Sequence, residues 1–484
     1  MTQQTRRSFL KKSLAAAATI TLAGTKSTGR VLGANETIRI GVAGIHGQGR
    51  SHVNRFVGMK GVQLTYLIDP DTRTFASQLK QVEEKGGNRP QTVQDVRKAL
   101  EDKNLDAISI ATPNHWHSLI TIWACQAGKD VYVEKPCSHN VHEGRIAVET
   151  ARKYNRIVQH GTQSRSGDFA RIVELVKSGK YGKLLVSRGL CYKDGGIGTA
   201  TTRGDIGFKE PKPAPAELDF NLWLGPAPEQ PFHENIVHYR WHWFWDFGNG
   251  DMGNQGVHEM DKARWAIAGA TLPKSVISFG GRIGHKDQGQ TPSSQVSLFD
   301  FGETQLIFEV RGLPSKEFHG VKIGNILHFE GGMIAGKKFI AKNGKEEPLP
   351  KIDTERDGGG NHFANFITAV RSRKVSDLNA DILEGHYSAA LCHLGNISYR
   401  LGEQVPFNSQ TKSFGDNKEA YEALARMEEY LTKENGLKLN GATYRVGRKL
   451  TLDAKSETFV GEPEANKLLT RNYRKPFEVP ERVS

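Results

Sequence analysis

A glycine-rich turn, Gly41-Val-Ala-Gly44-Ile-His46-Gly47-Gln48-Gly49-Arg50, joins a short apolar run to a helical pattern. That junction restricts the fold more than any other segment of the chain. Residues 38–42 are apolar and β-branched enough for a buried strand, and residues 52–59 repeat with helical spacing. A second strand-like run, 62–68, ends on Asp69, twenty positions after Gly49. Strand, glycine turn, helix, strand and acid form the layout that binds a dinucleotide. Glycines let the backbone approach a pyrophosphate, the helix N-terminus offers unpaired N–H donors, and the carboxylate holds ribose hydroxyls. Asp69 favours NAD, because a carboxylate there repels a 2′-phosphate, whereas Arg50 and Arg73 keep NADP open as a second choice.

From residue 35 to about 162, short apolar strands alternate with amphipathic helices, the rhythm of a parallel sheet. Strands are expected at 107–111, 130–136 and 156–160, and helices at 73–85, 118–127 and 143–154. Ligands of such sheets lie at the carboxyl ends of the strands. Gly44, Asp69, Thr112, Pro113, Asn114, Glu134 and Lys135 fall there. With Gly41, His46, Gly47, Gln48, Gly49, Arg50 and His117 they are the expected cofactor residues of one crevice.

After residue 163 the rhythm changes. Strand-like runs at 184–192, 275–279, 295–301, 304–310 and 325–329 lack intervening helices, which predicts a large open, mostly antiparallel sheet. A proline-rich loop spans 210–215, Asp357-Gly-Gly-Gly360 reads as a hinge, and a helix follows at 363–370. The chain thus divides into a leader (1–34), a nucleotide domain (35–162), an α/β substrate and oligomerisation domain (163–402) and a C-terminal extension (403–484) without an assigned place.

The leader carries its own signal. Thr5-Arg6-Arg7-Ser8-Phe9-Leu10-Lys11-Lys12 precedes a small and apolar stretch at 14–24. Twin arginines ahead of a modest hydrophobic segment are the address of the twin-arginine route, which exports folded proteins. The stretch is too short to cross a bilayer, and no later segment is apolar enough to do so. A periplasmic or otherwise exported protein is expected, with its dinucleotide trapped before export.

Charge narrows the partners. The formal net charge is +13, but six of the cations lie in the first thirty residues, which contain no acid, so the remainder is near +7. Its lysines are scattered, which argues against nucleic acid. Cys125, Cys137, Cys191 and Cys392 are widely spaced with no C-x-x-C, and His115-x-His117 lacks a third ligand at sensible spacing, so no metal is expected.

Two segments carry chemistry. Glu134-Lys135-Pro136 follows a strand of the nucleotide domain, where an ammonium reaches the crevice and exchanges a proton with a substrate hydroxyl. The second segment is Trp241-His-Trp243-Phe-Trp-Asp-Phe-Gly-Asn-Gly-Asp251-Met-Gly-Asn254-Gln-Gly-Val-His258. A helix starting near Met252 puts Asp251, Asn254 and His258 on one side, with His258 as general base and Asp251 to orient it or bind hydroxyls. The tryptophans are either core or a stacking wall for a sugar ring.

As a set, the glycine turn, Ala111-Thr-Pro-Asn-His115, Glu134-Lys-Pro136, the glycine-led helix ending in His258, Leu222-Trp-Leu-Gly-Pro226 and Asn361-His-Phe-Ala-Asn-Phe366 resemble the glucose–fructose oxidoreductase and inositol dehydrogenase group, the Gfo/Idh/MocA family, in its exported branch. The resemblance implies a Rossmann domain followed by an α/β domain that often pairs with a second subunit, and so a dimer or tetramer. It also implies NAD(P)-dependent redox chemistry on sugars, cyclitols or polyols, with Lys135 and His258 catalytic. Many members have aspartate four residues before that histidine; here the position is Asn254. Three functions remain open: an NAD-dependent oxidoreductase of a sugar or glycoside, a redox-neutral NAD-dependent glycosidase, and a non-catalytic sugar-binding protein.

Overall fold

The structure is a computed structural model that describes residues 37–193, 205–352, 361–407 and 412–483. The twin-arginine leader and the Asp357–Gly360 hinge lie outside these residues. The first domain is a six-stranded parallel sheet of β1 (Ile38–Ala43), β2 (Val62–Ile68), β3 (Gln91–Val93), β4 (Ala107–Ile110), β5 (Asp130–Val133) and β6 (Val158–His160). Their spatial order is β3-β2-β1-β4-β5-β6, so the winding reverses beside β1 and leaves a crevice at the carboxyl ends of β1 and β4. Helix α1 (Gln48–Phe56) follows β1, and α2 (Asn114–Gln126) follows β4.

Both faces of this sheet are buried, as parallel strands require. Ile108, Ile110 and Val133 pack with Leu119 and Ile122 of α2 on one face. Ile40, Val42 and Leu67 pack with Val53 and Phe56 of α1 on the other. Phe363, Phe366 and Val370 complete that second face, although sequence order assigns them to the later domain. The Phe363 ring stacks on Tyr132 with centroids 4.7 Å apart.

The second sheet has twelve strands. Its path runs from β14 (Glu346–Pro348) through β13 (Lys338–Ala341), β12 (Gly332–Ala335), β11 (Ile323–Phe329), β7 (Leu184–Tyr192), β10 (Gln305–Arg311), β9 (Ser294–Asp300), β8 (Ser275–Gly281) and β16 (Thr443–Val446) to β15 (Glu403–Pro406), while β17 (Leu450–Asp453) pairs with β8 and β18 (Thr458–Phe459) with β17. Only β7 and β10 pair in parallel, and the other pairings are antiparallel. Helices α3 (Gly256–Trp265) and α4 (Ile382–Arg400) cover one face through Val257, Met260, Leu391 and Leu394. The C-terminal extension lengthens this sheet with β15 and β16 (Thr443–Val446), then lays helix Lys418–Glu429 on its opposite face. Its tail returns to the first domain, where the Phe477 ring meets Trp116 at 5.4 Å.

Among the described residues, no helix is long and apolar enough to cross a membrane. All four cysteines are buried.

Candidate active site

The carboxyl ends of β1, β2, β4 and β5 open into a cavity of about 400 Å³, walled on its far side by the second domain. Two glycines press the turn into place. At Gly44 (φ 76°) a Cβ would lie 2.7 Å from the Ala111 carbonyl oxygen, and at Gly49 one would lie 1.6 Å from the Gly44 oxygen. Gly47 differs: nothing lies near its Cβ position, it lines the cavity, and no side chain caps the helix that starts there. Beside it, Asp69 accepts from the backbone N–H of Ile45 (2.9 Å) and of Asp71 (3.0 Å). Burial pushes the Asp69 carboxyl up to about 6 against those two donors. The Thr112 hydroxyl is buried without a hydrogen-bond partner among the described residues and faces the same space.

An open glycine at an uncapped helix start, a fixed carboxylate and an orphan hydroxyl fit a dinucleotide. Gly47 and the start of α1 would hold its pyrophosphate and Asp69 its ribose hydroxyls. Gly44, His46, Gln48, Thr112, Pro113, Asn114, His117, Glu134 and Lys135 line the cavity as expected. Gly41 and Gly49 do not; they permit close packing instead, Gly41 against Tyr66 within the sheet. Arg50 turns outward to Gln81 (3.1 Å), and Arg73 forks onto Asp71. The two cations that kept NADP open therefore do not reach the cavity.

The loop carrying Lys135 is clamped from both sides. His117 bonds the carbonyl oxygens of Thr112 (2.7 Å) and Pro136 (2.5 Å), so its ring ties the loop after β5 to the loop after β4. Burial alone would raise the Glu134 carboxyl, but His52 at 3.0 Å and the Lys135 charge hold it well below the usual carboxylate range. Gln48 and Gln163 also donate to it, each at 3.3 Å. The Lys135 ammonium crosses the cavity and donates to Asn254 of the second domain. Burial depresses its pKa, and the Glu134 charge opposes the shift.

His258 stands on α3, which rests on the sheet because Gly256 lies against Phe308; a Cβ there would approach that ring to 2.7 Å. Arg165, just past β6, grips the same helix, its Nε and Nη2 donating to the Asp261 carboxylate at 2.9–3.0 Å. The His258 ring lines the cavity and makes no hydrogen bond to another described residue. Burial, then the Lys135 charge, lowers its pKa to about 3, so the ring is neutral.

The helix expected to unite Asp251, Asn254 and His258 is broken. Gly250–Asn254 forms one short helix and α3 another, with Gln255 between them. Asn254 and His258 line the cavity, but Asp251 does not; its carboxylate lies 3.6 Å from the buried Lys193 ammonium. The tryptophans divide as well. Trp241 reaches the cavity while stacking on His242 (3.6 Å), whereas Trp243 is core beside Phe244 and Phe247.

Several lining residues escaped sequence reasoning. His242 sat inside the aromatic motif, and its flanking tryptophans were its only signal. His238 stacks on His46 (4.2 Å) and meets Asp71 at 2.9 Å, with nothing in its own neighbourhood of sequence to announce it. Lys193, just past β7 and paired with Asp251 outside the cavity lining, gave no signal either.

Comparison with known proteins agrees with this geometry. Residues 38–162 match the Gfo/Idh/MocA oxidoreductase family, NAD-binding Rossmann fold, and residues 201–287 match its C-terminal alpha/beta domain. The chain is 29% identical over 203 residues to glycosyl hydrolase family 109 protein 2 of Shewanella sp. (strain ANA-3), across 37% of this chain and 44% of that protein. It is 27% identical over 210 residues to the glycosyl hydrolase family 109 protein of Saccharopolyspora erythraea, across 39% and 46%. The chain therefore spans less than half the length of these relatives. Among solved structures it is similar to the WlbA dehydrogenase from Bordetella pertussis, determined in complex with NADH and UDP-GlcNAcA (TM-score 0.53, 17% identity, 74% of this chain and 96% of that one). An oxidoreductase domain protein from Kribbella flavida gives a TM-score of 0.55 at 17% identity over 74% and 96%. At such identities these structures show a shared fold.

Proposed function

The chain belongs to the Gfo/Idh/MocA oxidoreductase family by both of its domains, and on that premise we propose an NAD-dependent oxidoreductase acting on a hydroxyl of a sugar or glycoside. The observation that carries the reading is that Lys135 from the first domain and His258 from the second line one cavity with the glycine turn. When bound, the nicotinamide supplies a hydride acceptor. The chain itself handles the proton: neutral His258 takes it from the substrate hydroxyl, and the Lys135 ammonium donates a hydrogen bond to the oxygen as charge develops. Trp241 and His242 offer flat surfaces against which a sugar ring can rest. Paired acid–base groups in one cleft argue against a purely sugar-binding protein.

Tight retention of the cofactor belongs to the same proposal. A strand of backbone from the second domain crosses the β2 end of the cleft: Asp219 N–H donates to the Pro70 oxygen (2.9 Å), Thr72 N–H to the Glu217 oxygen (3.0 Å), and His238 meets Asp71. These contacts tie the second domain to the loop after β2, next to Asp69. Retention suits a chain that the twin arginines of residues 6 and 7 would send out of the cytoplasm already folded.

A second reading is favoured by the curated relatives, both glycosyl hydrolase family 109 proteins: a redox-neutral glycosidase whose net change is addition of water across the glycosidic bond. One experiment addresses both. Purified protein is denatured and its released nucleotide measured, and the native protein and Lys135→Ala are incubated with a panel of glycosides under mass spectrometry. Bound NAD with a stoichiometric keto-sugar supports oxidation, and free sugar without NADH supports hydrolysis. Absence of nucleotide, or turnover unchanged in Lys135→Ala, overturns the assignment.

A further inference from the structure

We propose that a second cavity, separate from the cofactor cleft, binds a carboxylate-bearing sugar unit such as a uronate. This cavity measures about 460 Å³, within the ~300–1,000 Å³ range of small-molecule sites. Four distant stretches build it: His139 from the loop after β5, Trp245 and Asp246 from the aromatic loop, Asn396 and Arg400 from the end of α4, and Lys467 and Arg471 from the C-terminal tail. The wall towards the cofactor cleft is Asn249, whose Oδ1 accepts from Asn114 at 3.1 Å. The tail lies outside both matched family domains, so this cavity depends on a part of the chain to which neither match assigns a role.

Charge and an orphan donor give the ligand its sign. Arg400, Lys467 and Arg471 line the cavity with one carboxylate, Asp246, while buried Glu143 lies behind the lining near Arg471, and His139 and His393 are both kept neutral by burial. The Arg471 side chain is only 12% exposed. Its Nη1 donates to the Asp246 carbonyl oxygen (2.8 Å) and to His139 Nδ1 (3.2 Å). Its Nη2 makes no hydrogen bond among the described residues and stands 3.8 Å from the Asp246 carboxylate. Because His139 Nδ1 accepts from Arg471, the ring proton sits on Nε2, beside the Trp245 backbone. Buried donors are nearly always satisfied in folded proteins. The unbonded Nη2 of Arg471, in a cavity with a surplus of positive charge, calls for an anionic acceptor.

The indole decides between a free anion and a sugar acid. Trp245 lines the cavity with the Arg400 guanidinium 5.1 Å from its ring centroid. A sulfate or phosphate would use the cations alone. A uronate would place its carboxylate on Arg471 and Arg400 and its ring against Trp245. The assignment does not depend on the redox chemistry proposed for the cofactor cleft.

Isothermal titration of the full chain with sodium glucuronate, glucose and sodium sulfate tests this. Glucuronate should bind, and glucose much more weakly. Arg400→Gln, whose guanidinium makes no hydrogen bond among the described residues, should melt like the parent and lose about tenfold or more in glucuronate affinity. Arg471→Gln should lose at least as much, and Trp245→Leu should weaken glucuronate but not sulfate. Affinity for glucuronate unaltered in both arginine variants overturns the site. Glucose binding as tightly as glucuronate overturns its acidic preference, and sulfate binding equally well with no effect of Trp245→Leu reduces the site to an anion pocket and overturns the sugar assignment.

Discussion

Lys135 and Asn254 join the two domains across the candidate active site: the ammonium donates to the Asn254 carbonyl oxygen at 2.5 Å and to its amide oxygen at 3.3 Å. Both acceptors are uncharged. The lysine is thus positioned by the second domain without the full ion pair that an aspartate there would supply, and burial is left as the dominant influence on its proton affinity.

Asn254→Asp therefore makes a directional test. A carboxylate within bonding distance of an ammonium favours its charged form and raises its pKa by about one unit or more. If Lys135 acts as the ammonium, the alkaline limb of the kcat/KM profile moves to higher pH in this variant. A limb that stays in place identifies some other group as the one that titrates.

His258 fixes the opposite limb. Its pKa of about 3 leaves the ring neutral throughout the physiological range, so kcat/KM should show no inflection near 6.5 as pH falls. His258→Gln should lose about 10²–10⁴-fold in kcat/KM while keeping its bound nucleotide. An inflection near 6.5 that disappears in His258→Gln would mean that the imidazole is better solvated than its place in the cavity implies.

The glycines of the turn separate packing from binding. A Cβ at Gly49 collides with the Gly44 carbonyl oxygen, whereas one at Gly47 meets open cavity. Gly49→Ala should destabilise the fold by about 1–3 kcal/mol, the usual cost of overpacking, read from a denaturant midpoint. Gly47→Ala should unfold like the parent and yet be purified with much less nicotinamide nucleotide. Equal nucleotide content in Gly47→Ala and the parent would place the pyrophosphate elsewhere.

Local signals explain which of these features the sequence disclosed. β2 and β7 occupy the predicted 62–68 and 184–192 because their alternation and flanking breakers are contained within the strands. α1 and α2 each begin four residues ahead of their expected starts at 52 and 118, since Gly47 and Pro113 precede them without a side-chain cap to mark the boundary. Lys135 and His258 were legible because each follows directly from a strand end or a glycine-led helix. Asp251 was misplaced for the opposite reason: the break at Gln255 and the pairing with Lys193, 58 residues away in sequence, arise only on packing. The extension after residue 403 found its place through the pairing of β16 with β8 (Ser275–Gly281) and the contact of Phe477 with Trp116, long-range contacts that no local pattern encodes.

Buried histidines should make the protein acid-labile. His115, His160, His242, His258 and His393 are held by burial at about 3, and His328 at about 4. In the unfolded chain each takes a proton near 6.5. As pH falls from about 6.5 towards 3 the unfolded state therefore binds protons that the folded state refuses, and stability drops; above 6.5 these residues contribute no pH dependence. Raised carboxyls oppose this: burial holds Asp69 at about 6 and Glu143 at about 7 and lifts Glu259, so their contribution grows as pH falls towards 4. The lowered histidines, joined by His117, His139 and His362, outnumber them, so unfolding near pH 5 takes up protons on balance. Denaturant midpoints measured between pH 7 and 4 should fall steadily, with proton uptake visible as a buffer-dependent calorimetric enthalpy. A midpoint that holds level or rises over that interval would mean that these imidazoles are already charged in the folded protein, His258 among them, and the cleft would then lack its neutral base.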